Sequence, residues 1–480
     1  MMKVLTAFYI LVGLFTLCQS AVKAAPADQR EHESRLLGTH LSRTYTDDLT
    51  GLLERRYIRV LTVFNRTNFF ISQGRFLGFE YELIKDYQEH LNRNLASGEL
   101  RVVADFVICP RDSLIEKLNA GYGDIVAAGM TITPARRELV DFTTPYLTGI
   151  DEVVVANREA ELPRNLEGLS GREVFVRKSS SYYESLSSLS LLLEMKDKKP
   201  VEIVEADENL ETEDILEMVN SGVAEMTICD SNIAGIWSKI MDRLVVGSEL
   251  KLRENIKIAW MVRKNNPQLK SSLDRFLRKR KKGTLHGNIY FKRYYENNRW
   301  IRNPLNRIHR ERLEHYRKLI SEYAGRYGFD WRLIMAMAYQ ESGLDQATRS
   351  SAGAVGIMQI RPRTASDPNV GISGIEEPEN NIHAAVKYLN FLRTRYFSDR
   401  GINPRDRVRM ALASYNAGPA KIRRARSMAA EMGLNPDRWF RNVELAVLEL
   451  VGRETVRYVS DINKYYLIYR RAYGVSDGGR

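Results

Sequence analysis

The sequence predicts a multidomain chain in which a two-lobed α/β domain precedes a mostly α domain. Between about residues 58 and 228, short apolar strands alternate with amphipathic helices in two successive blocks, the pattern of layered α/β architecture. Beyond Pro267 the strand signals fade and helical periodicity takes over. Charge divides in the same way: residues 298–480 hold 31 Lys and Arg against 19 Asp and Glu, whereas the rest of the chain is balanced at 41 of each. With 480 residues, 44% of them hydrophobic and 28% charged, the chain can build more than one core and is not disordered by composition.

Segment 1–24 has the layout of a secretory signal: Lys3, an apolar run over 4–17, then the small residues Ala21, Ala24 and Ala25. The run is shorter than the roughly 20 residues of a spanning helix, so removal is expected rather than anchoring. Cys18 follows Leu17, where lipid-modified cysteines usually follow Gly, Ala or Ser, which argues against lipidation. No later segment is long and apolar enough to span a bilayer. Export makes nucleic acid an unlikely partner for the basic half and favours anionic wall polymers or lipid headgroups, with a solvated basic surface as the alternative. Cys109 and Cys229 could pair in an oxidising compartment or remain buried thiols.

Strands are expected at 58–63, 102–108, 123–127 and 153–155, with helices at 81–91 and 111–120. A second block has strands at 174–176, 202–204 and 224–228 and a helix at 213–219. Mainly parallel pairing in two lobes around a cleft follows, and 45–297 is the expected domain. Residues 270–281 form a basic helical pattern; in the second domain, 298–480, helices are expected at 311–327, 331–340, 380–396, 405–415 and 443–469.

On the helix beginning near Trp331, Ile334, Met337 and Ala338 share a face with Glu341. A carboxyl emerging from an apolar stripe should have a raised pKa and can act as a general acid on a glycosidic oxygen. By itself the pattern fits a half-exposed helix-end glutamate equally well. Its surroundings are more specific. Glu341-Ser342 is followed by Ser350-Ser351-Ala352-Gly353-Ala354-Val355-Gly356-Ile357-Met358-Gln359, then Ser414-Tyr415-Asn416-Ala417-Gly418, then Glu454-Thr455-Val456-Arg457-Tyr458-Val459. This ordered set, over most of 303–470, resembles the goose-lysozyme-like lytic transglycosylase family.

The resemblance implies that Glu341 is the catalytic acid/base, that Ser350 helps position the substrate acetamido group, and that Gln359, Tyr415 and Asn416 line the cleft. It implies that the Tyr458 hydroxyl orients the glutamate, although Tyr415 and Tyr458 could also be core tyrosines with satisfied hydroxyls. Ser414 stands where the family usually has alanine. Ordinary glycosidases use two carboxyls, whereas in this family the substrate's own 2-acetamido group is the implied nucleophile. Asp345 is the nearest sequence candidate for a second carboxylate, unless it caps or pairs locally.

In the first half, Gly78-Phe79-Glu80, Gly129-Met130-Thr131-Ile132-Thr133-Pro134-Ala135-Arg136 and Asp141-Phe142-Thr143-Thr144-Pro145-Tyr146 resemble the amino-acid-binding periplasmic solute-binding family. That resemblance implies Arg136 on an α-carboxylate, Thr131 and Ser181 as hydrogen-bonding groups, Asp230 on an α-amino group, and Phe69 or Phe70 as an apolar wall. Ordinary ion pairs are the alternative for Arg136 and Asp230.

Together the halves resemble the membrane-bound lytic murein transglycosylase F family. The resemblance implies a peptidoglycan lytic transglycosylase that cleaves the MurNAc-GlcNAc bond with formation of 1,6-anhydro-MurNAc, with a small amino-acid or muropeptide ligand in the first half. It implies no cofactor and no metal, a periplasmic location, and peripheral contact with the inner face of the outer membrane. Attachment is the less secure inheritance, because Gly356-Ile357-Met358-Gln359 looks more like the soluble transglycosylases. A hydrolytic lysozyme and a non-catalytic peptidoglycan-binding sensor are the competing readings.

Overall fold

The first lobe is built on β1 (Tyr57–Thr62), the hairpin β2 (Phe70–Ser72) and β3 (Arg75–Leu77), β4 (Val103–Ile108), β5 (Ile125–Val126) and β6 (Asp141–Phe142). Every residue of β1 is buried, as expected of a strand covered on both faces. It pairs in parallel with β4 and β5. Helix α1 (Phe79–Asn92) packs here, burying Phe79, Leu83, Ile84 and Tyr87 on the face that 3.6-residue periodicity brings together. The structure is a computed structural model describing residues 43–473 apart from 73–74, 94, 96–98 and 298–306; the leader 1–24 and the domain junction at 298 lie outside the described residues.

The second lobe contains β7 (Leu147–Asn157), β8 (Glu173–Arg177), β9 (Glu202–Ala206), β10 (Met226–Asp230) and β11 (Leu244–Ile258), in the order β11-β7-β10-β8-β9. After it, β12 (Met261–Val262) returns to the first sheet, whose order is β4-β1-β5-β12-β6. The expectation of mainly parallel pairing is corrected: β7 runs antiparallel to β10 and β11, and β12 antiparallel to β5 and β6. The cause is topological. The chain enters the second lobe along β7 and leaves along β11, so the two crossings run in opposite directions. They lie side by side, with the Tyr146 N–H donating to the Ile258 carbonyl and the Thr143 N–H to the Trp260 carbonyl, both at 3.0 Å. Two adjacent crossings form a hinge about which two lobes can close.

Two elements of this lobe escape the periodicity reading. Helix α2 (Ser181–Glu194) is rich in serine, a residue that favours caps over helix interiors; it is started by the Ser180 hydroxyl, which accepts from the Tyr183 N–H at 3.3 Å. Strand β11 carries exposed charges between its buried Leu250, Ile256 and Ile258 and is interrupted by register shifts against β7, so its alternation is broken. Helix α3 (Thr212–Asn220) follows the expected 213–219 segment. Cys109 and Cys229 are separate buried thiols, one beside β4 and one in β10.

The last part is helical, and its helices include α4 (Arg307–Arg326), α5 (Trp331–Ser342), α6 (Pro378–Tyr396), α7 (Pro404–Ala417) and α8 (Arg453–Ala472). The Asp330 side chain starts α5 by accepting from the Arg332 N–H at 3.0 Å, and Gly343, at φ 65°, ends it. The tail expected as one helix over 443–469 is two, Glu444–Leu450 and α8, separated at Gly452, whose φ is 119°. This half packs on both lobes through charge, on the second at α3 and on the first at the segment after β4. Lys464 of α8 reaches Asp214 of α3 at 3.4 Å and Asp461 at 3.3 Å, and Arg441 pairs with Asp112.

Candidate active site and ligand cleft

Helix α5 carries Ile334, Met337 and Ala338 fully into the core, which leaves Glu341, on the same face near the helix end, half-buried. Burial pushes the Glu341 carboxyl up to about 7, against the opposing effect of the Tyr458 hydroxyl. That hydroxyl donates to Glu341 Oε1 at 2.5 Å. Tyr458 is delivered by α8, which packs along α5 with Tyr339 and Tyr465 edge to face at 4.6 Å. Burial first, and then the charge of Glu341, raises both the Tyr458 and the Tyr415 phenols.

The loop 355–359 forms the adjoining wall and is tied down from several sides. The Ser342 hydroxyl donates to the Ile357 carbonyl at 2.8 Å, and Gln346 Oε1 accepts from the Ile357 N–H at 2.9 Å. Buried Asn381 accepts from the Met358 N–H and donates to the Val355 carbonyl, each at 2.9 Å. Tyr415 completes the set by donating its hydroxyl to the Met358 carbonyl at 2.9 Å. Gln359 belongs to the same loop, its side-chain amide donating to the carbonyls of Thr348 and Gly356 at 3.1 and 2.8 Å. The Ser350 hydroxyl accepts from the Ala354 N–H at 2.9 Å. Exposed Asn416 accepts from the Thr455 hydroxyl at 2.8 Å.

The six residues singled out by sequence thus divide: Tyr458 and Tyr415 surround Glu341, Gln359 and Ser350 shape loops, and Asn416 is held by Thr455. Sequence reasoning missed Asn381 and Thr455. The signal for Asn381 was a polar residue on the apolar face of α6, where it is fully buried, since such an amide must find partners. Asp345 is engaged locally: it pairs with Arg312 at 3.2 Å and accepts from the Ala347 N–H at 2.9 Å.

Gly356 has a φ of +80°, and a Cβ there would lie 2.5 Å from Asn381 Nδ2 and 2.7 Å from Gln346 Nε2. Gly356→Ala is expected to cost about 1–3 kcal/mol through backbone strain and to loosen the loop that Tyr415 holds. Thermal unfolding and turnover of the variant check this, and an unchanged melting temperature would show that the loop has slack.

Between the lobes, Thr131, Arg136, Ser181 and Asp230 line one cavity of ≈ 50 Å³ together with Arg177 and Glu213. Arg136 is buried and donates to the carbonyls of Thr131 and Ser179, both at 2.9 Å. It forms no ion pair with a carboxylate among the described residues, which sets aside the ordinary ion-pair alternative. Asp230 is buried as well; its Oδ1 has no hydrogen-bond partner among the described residues, and burial, then Glu152, push its carboxyl up to about 7. A guanidinium without a carboxylate partner and a carboxyl with one oxygen left over, the Tyr182 hydroxyl bonding the group, suit a zwitterion in one cleft. Phe69 is corrected: it is fully buried in a stack with Phe64, Phe76 and Phe106 and does not line the cleft. As part of an apolar pair it contributes more by filling the lobe core than by facing a polar cavity.

Comparison with known proteins finds a separate relationship for each half. Residues 59–295 match the model of bacterial extracellular solute-binding proteins, family 3, and residues 318–435 that of the transglycosylase SLT domain. A membrane-bound lytic murein transglycosylase F of Desulfosudis oleivorans is 32% identical over 86% of this chain and 90% of its own length. One from Shewanella halifaxensis is 31% identical over 84% of each. A solved structure of an ancestral arginine-binding protein bound to arginine is 22% identical, with a TM-score of 0.42, over 50% of this chain and 98% of that one. Both halves and the long relatives together establish that this chain belongs to the membrane-bound lytic murein transglycosylase F family.

Proposed function

We propose that this chain is a peptidoglycan lytic transglycosylase in which Glu341 acts alone as acid and then base. The observation that carries the reading is a single half-buried carboxyl at about pKa 7, held by the Tyr458 hydroxyl, with Asp345 committed to Arg312. Protonated Glu341 gives its proton to the glycosidic oxygen as the C1–O bond breaks, while the neighbouring 2-acetamido oxygen closes on C1. The resulting carboxylate then takes the proton of the C6 hydroxyl, whose oxygen displaces the acetamido group from C1 and leaves 1,6-anhydro-N-acetylmuramic acid. Tyr458 orients the carboxyl, and Tyr415, Gln359, Ser350 and Asn416 shape and line the substrate groove. Mass spectrometry of purified peptidoglycan digested by the protein tests this. Anhydro ends are expected; reducing ends would assign a lysozyme, and no release would leave a binding sensor.

The interlobe cleft supports regulation by an amino acid or muropeptide, with the carboxylate on Arg136 and Thr131, the amine on Asp230, and Ser181 as a further hydrogen-bonding group. Helix α3 favours this second reading, because Glu213 on it lines the cleft while Asp214 contacts Lys464 of the helical half. A ligand that prefers one lobe arrangement can shift the other half only through such a contact. Calorimetric titration of the full chain with amino acids and stem peptides, paired with turnover, tests the link; binding with unchanged turnover would reduce the cleft to a tether.

For location, the leader 1–24 favours export to the periplasm. No described helix is long and apolar enough to cross a membrane. The basic stretch 278–282 and exposed Leu285 and Ile289 beside it favour peripheral contact with anionic lipid. Flotation with anionic vesicles, set against Leu285→Ser/Ile289→Ser, tests that contact.

A further inference from the structure

The helical half holds a cavity, of ≈ 270 Å³, that the proposed chemistry does not use. It lies at the far end of α5 from the glutamate: Asp330 and Leu333 line it, and the rise of an α-helix puts Asp330 about 16 Å along the axis from Glu341. Its apolar lining comes from Phe329, Leu333, Val408, Leu412 and Val459. Four guanidiniums, of Arg393, Arg405, Arg407 and Arg409, also line it, against one carboxylate, Asp330. That carboxylate is engaged by Arg332 at 2.8 Å and by the Tyr466 hydroxyl at 3.0 Å, and Arg409 is paired with Asp406 at 2.9 Å.

The other three arginines differ: Arg405 is exposed, while the Arg393 guanidinium lies over the Phe329 ring, 4.0 Å from its centroid. Arg393 donates to the carbonyls of Gly328 and Tyr327 and to the Asn390 side chain, and Arg407 to those of Asp399 and Ile402. None of Arg393, Arg405 and Arg407 forms an ion pair with a carboxylate among the described residues. Arg407 Nε is buried without a hydrogen-bond partner among the described residues. Burial, and then the charge of Arg407, lowers the affinity of Arg393 for its proton. Two guanidiniums that repel each other beside an apolar hollow lack an anion. A small inorganic anion would leave the apolar lining wet, and an uncharged chain would leave the arginines unpaired.

We propose that this cavity binds an anionic amphiphile, an acyl chain whose carboxylate or phosphate head meets Arg393, Arg405 and Arg407 while the chain covers Leu333, Val408, Leu412 and Val459. The occupant would touch α8 at Val459, the sequence neighbour of Tyr458.

Titration calorimetry of the full chain with decanoate below its micelle concentration tests this, with decanol and butyrate as the arms lacking charge or chain. One saturable site for decanoate is expected, at least tenfold weaker for either control. Arg405→Gln/Arg407→Gln should weaken decanoate binding at least tenfold at an unchanged melting temperature, and Val408→Asp should do the same from the apolar side. Phosphatidylglycerol and phosphatidylcholine vesicles then distinguish the source. Loss of phosphatidylglycerol binding in the arginine variant assigns the chain to a membrane lipid, and its retention alongside lost decanoate binding assigns it to a free amphiphile. Equal affinity for decanol and decanoate, non-saturable uptake, or variants that bind like the parent would overturn the site. Lytic turnover is not a readout, so such a failure leaves the Glu341 assignment untouched.

Discussion

Glu341→Gln is expected to remove nearly all release of muropeptides from peptidoglycan, a loss of about 10²–10⁴-fold, the range that positioned acid/base groups supply. The amide keeps the shape of the side chain and can still accept from the Tyr458 hydroxyl, now 2.5 Å from Glu341 Oε1, so the fold should persist. It cannot give or take a proton, and both steps of the proposed reaction need that transfer. The same residue sets the pH dependence. Burial raises its carboxyl to about 7, so the acid form needed for the first step is present below that pH and lost above it, and turnover should fall as pH rises through about 7. Tyr458→Phe removes the one hydrogen bond that favours the charged form, and should move this alkaline limb upward. Turnover and pH profiles of the folded variants decide the matter. A folded Glu341→Gln protein turning over at the parent rate would remove Glu341 from the mechanism.

Glu341 could be singled out because its helix carries an apolar stripe and because its own motif is followed, in order along the chain, by three others on separate elements. The same was true of Arg136 and Asp230, which follow recognisable strand and turn motifs. What could not be read was whatever depends on partners distant in sequence. Asn381 supports the loop around Met358 from a helix more than twenty residues away, and nothing in its neighbourhood announces that task. Phe69 was expected as a cleft wall from the resemblance to solute-binding proteins; only packing decides which aromatic side chains fill the core, and Phe69 does. The antiparallel pairing of β7 with β11 was hidden for another reason. Periodicity marks a strand's two faces but not its direction, and β11 interrupts even that signal with register shifts. The ion pair joining α3 to α8 was similarly invisible, being charges on two helices that sequence alone gives no reason to bring together.

Those charges carry the other large expected effect. Lys464 is nearly buried between Asp214 of the α/β half and Asp461 of its own helix, at 3.4 and 3.3 Å. Its ammonium holds its proton more tightly than usual, Asp214 being the main opposing influence to burial, while Lys464 and Arg457 hold Asp461 below the ordinary carboxylate range despite its burial. Lys464→Met keeps most of the stem but takes the cation from Asp214 and leaves Asp461 with Arg457 alone, at 3.3 Å. Breaking a buried pair in this way costs about 3–5 kcal/mol, because the stranded charges lose their compensation rather than because the pair itself is strong. The melting temperature of the full chain should therefore fall by several degrees. The loss should grow as pH rises above the ordinary carboxylate range and shrink in acid, where Asp461 becomes protonated. Lys464→Met/Asp214→Leu removes one stranded charge together with its partner and should recover part of the loss, while Lys464→Met on its own should also weaken any effect of cleft ligands on turnover, since α3 would no longer grip the helix that carries Tyr458. Equal melting temperatures for parent and Lys464→Met across that pH range would show that water already screens the cluster and that the two halves are held by other contacts.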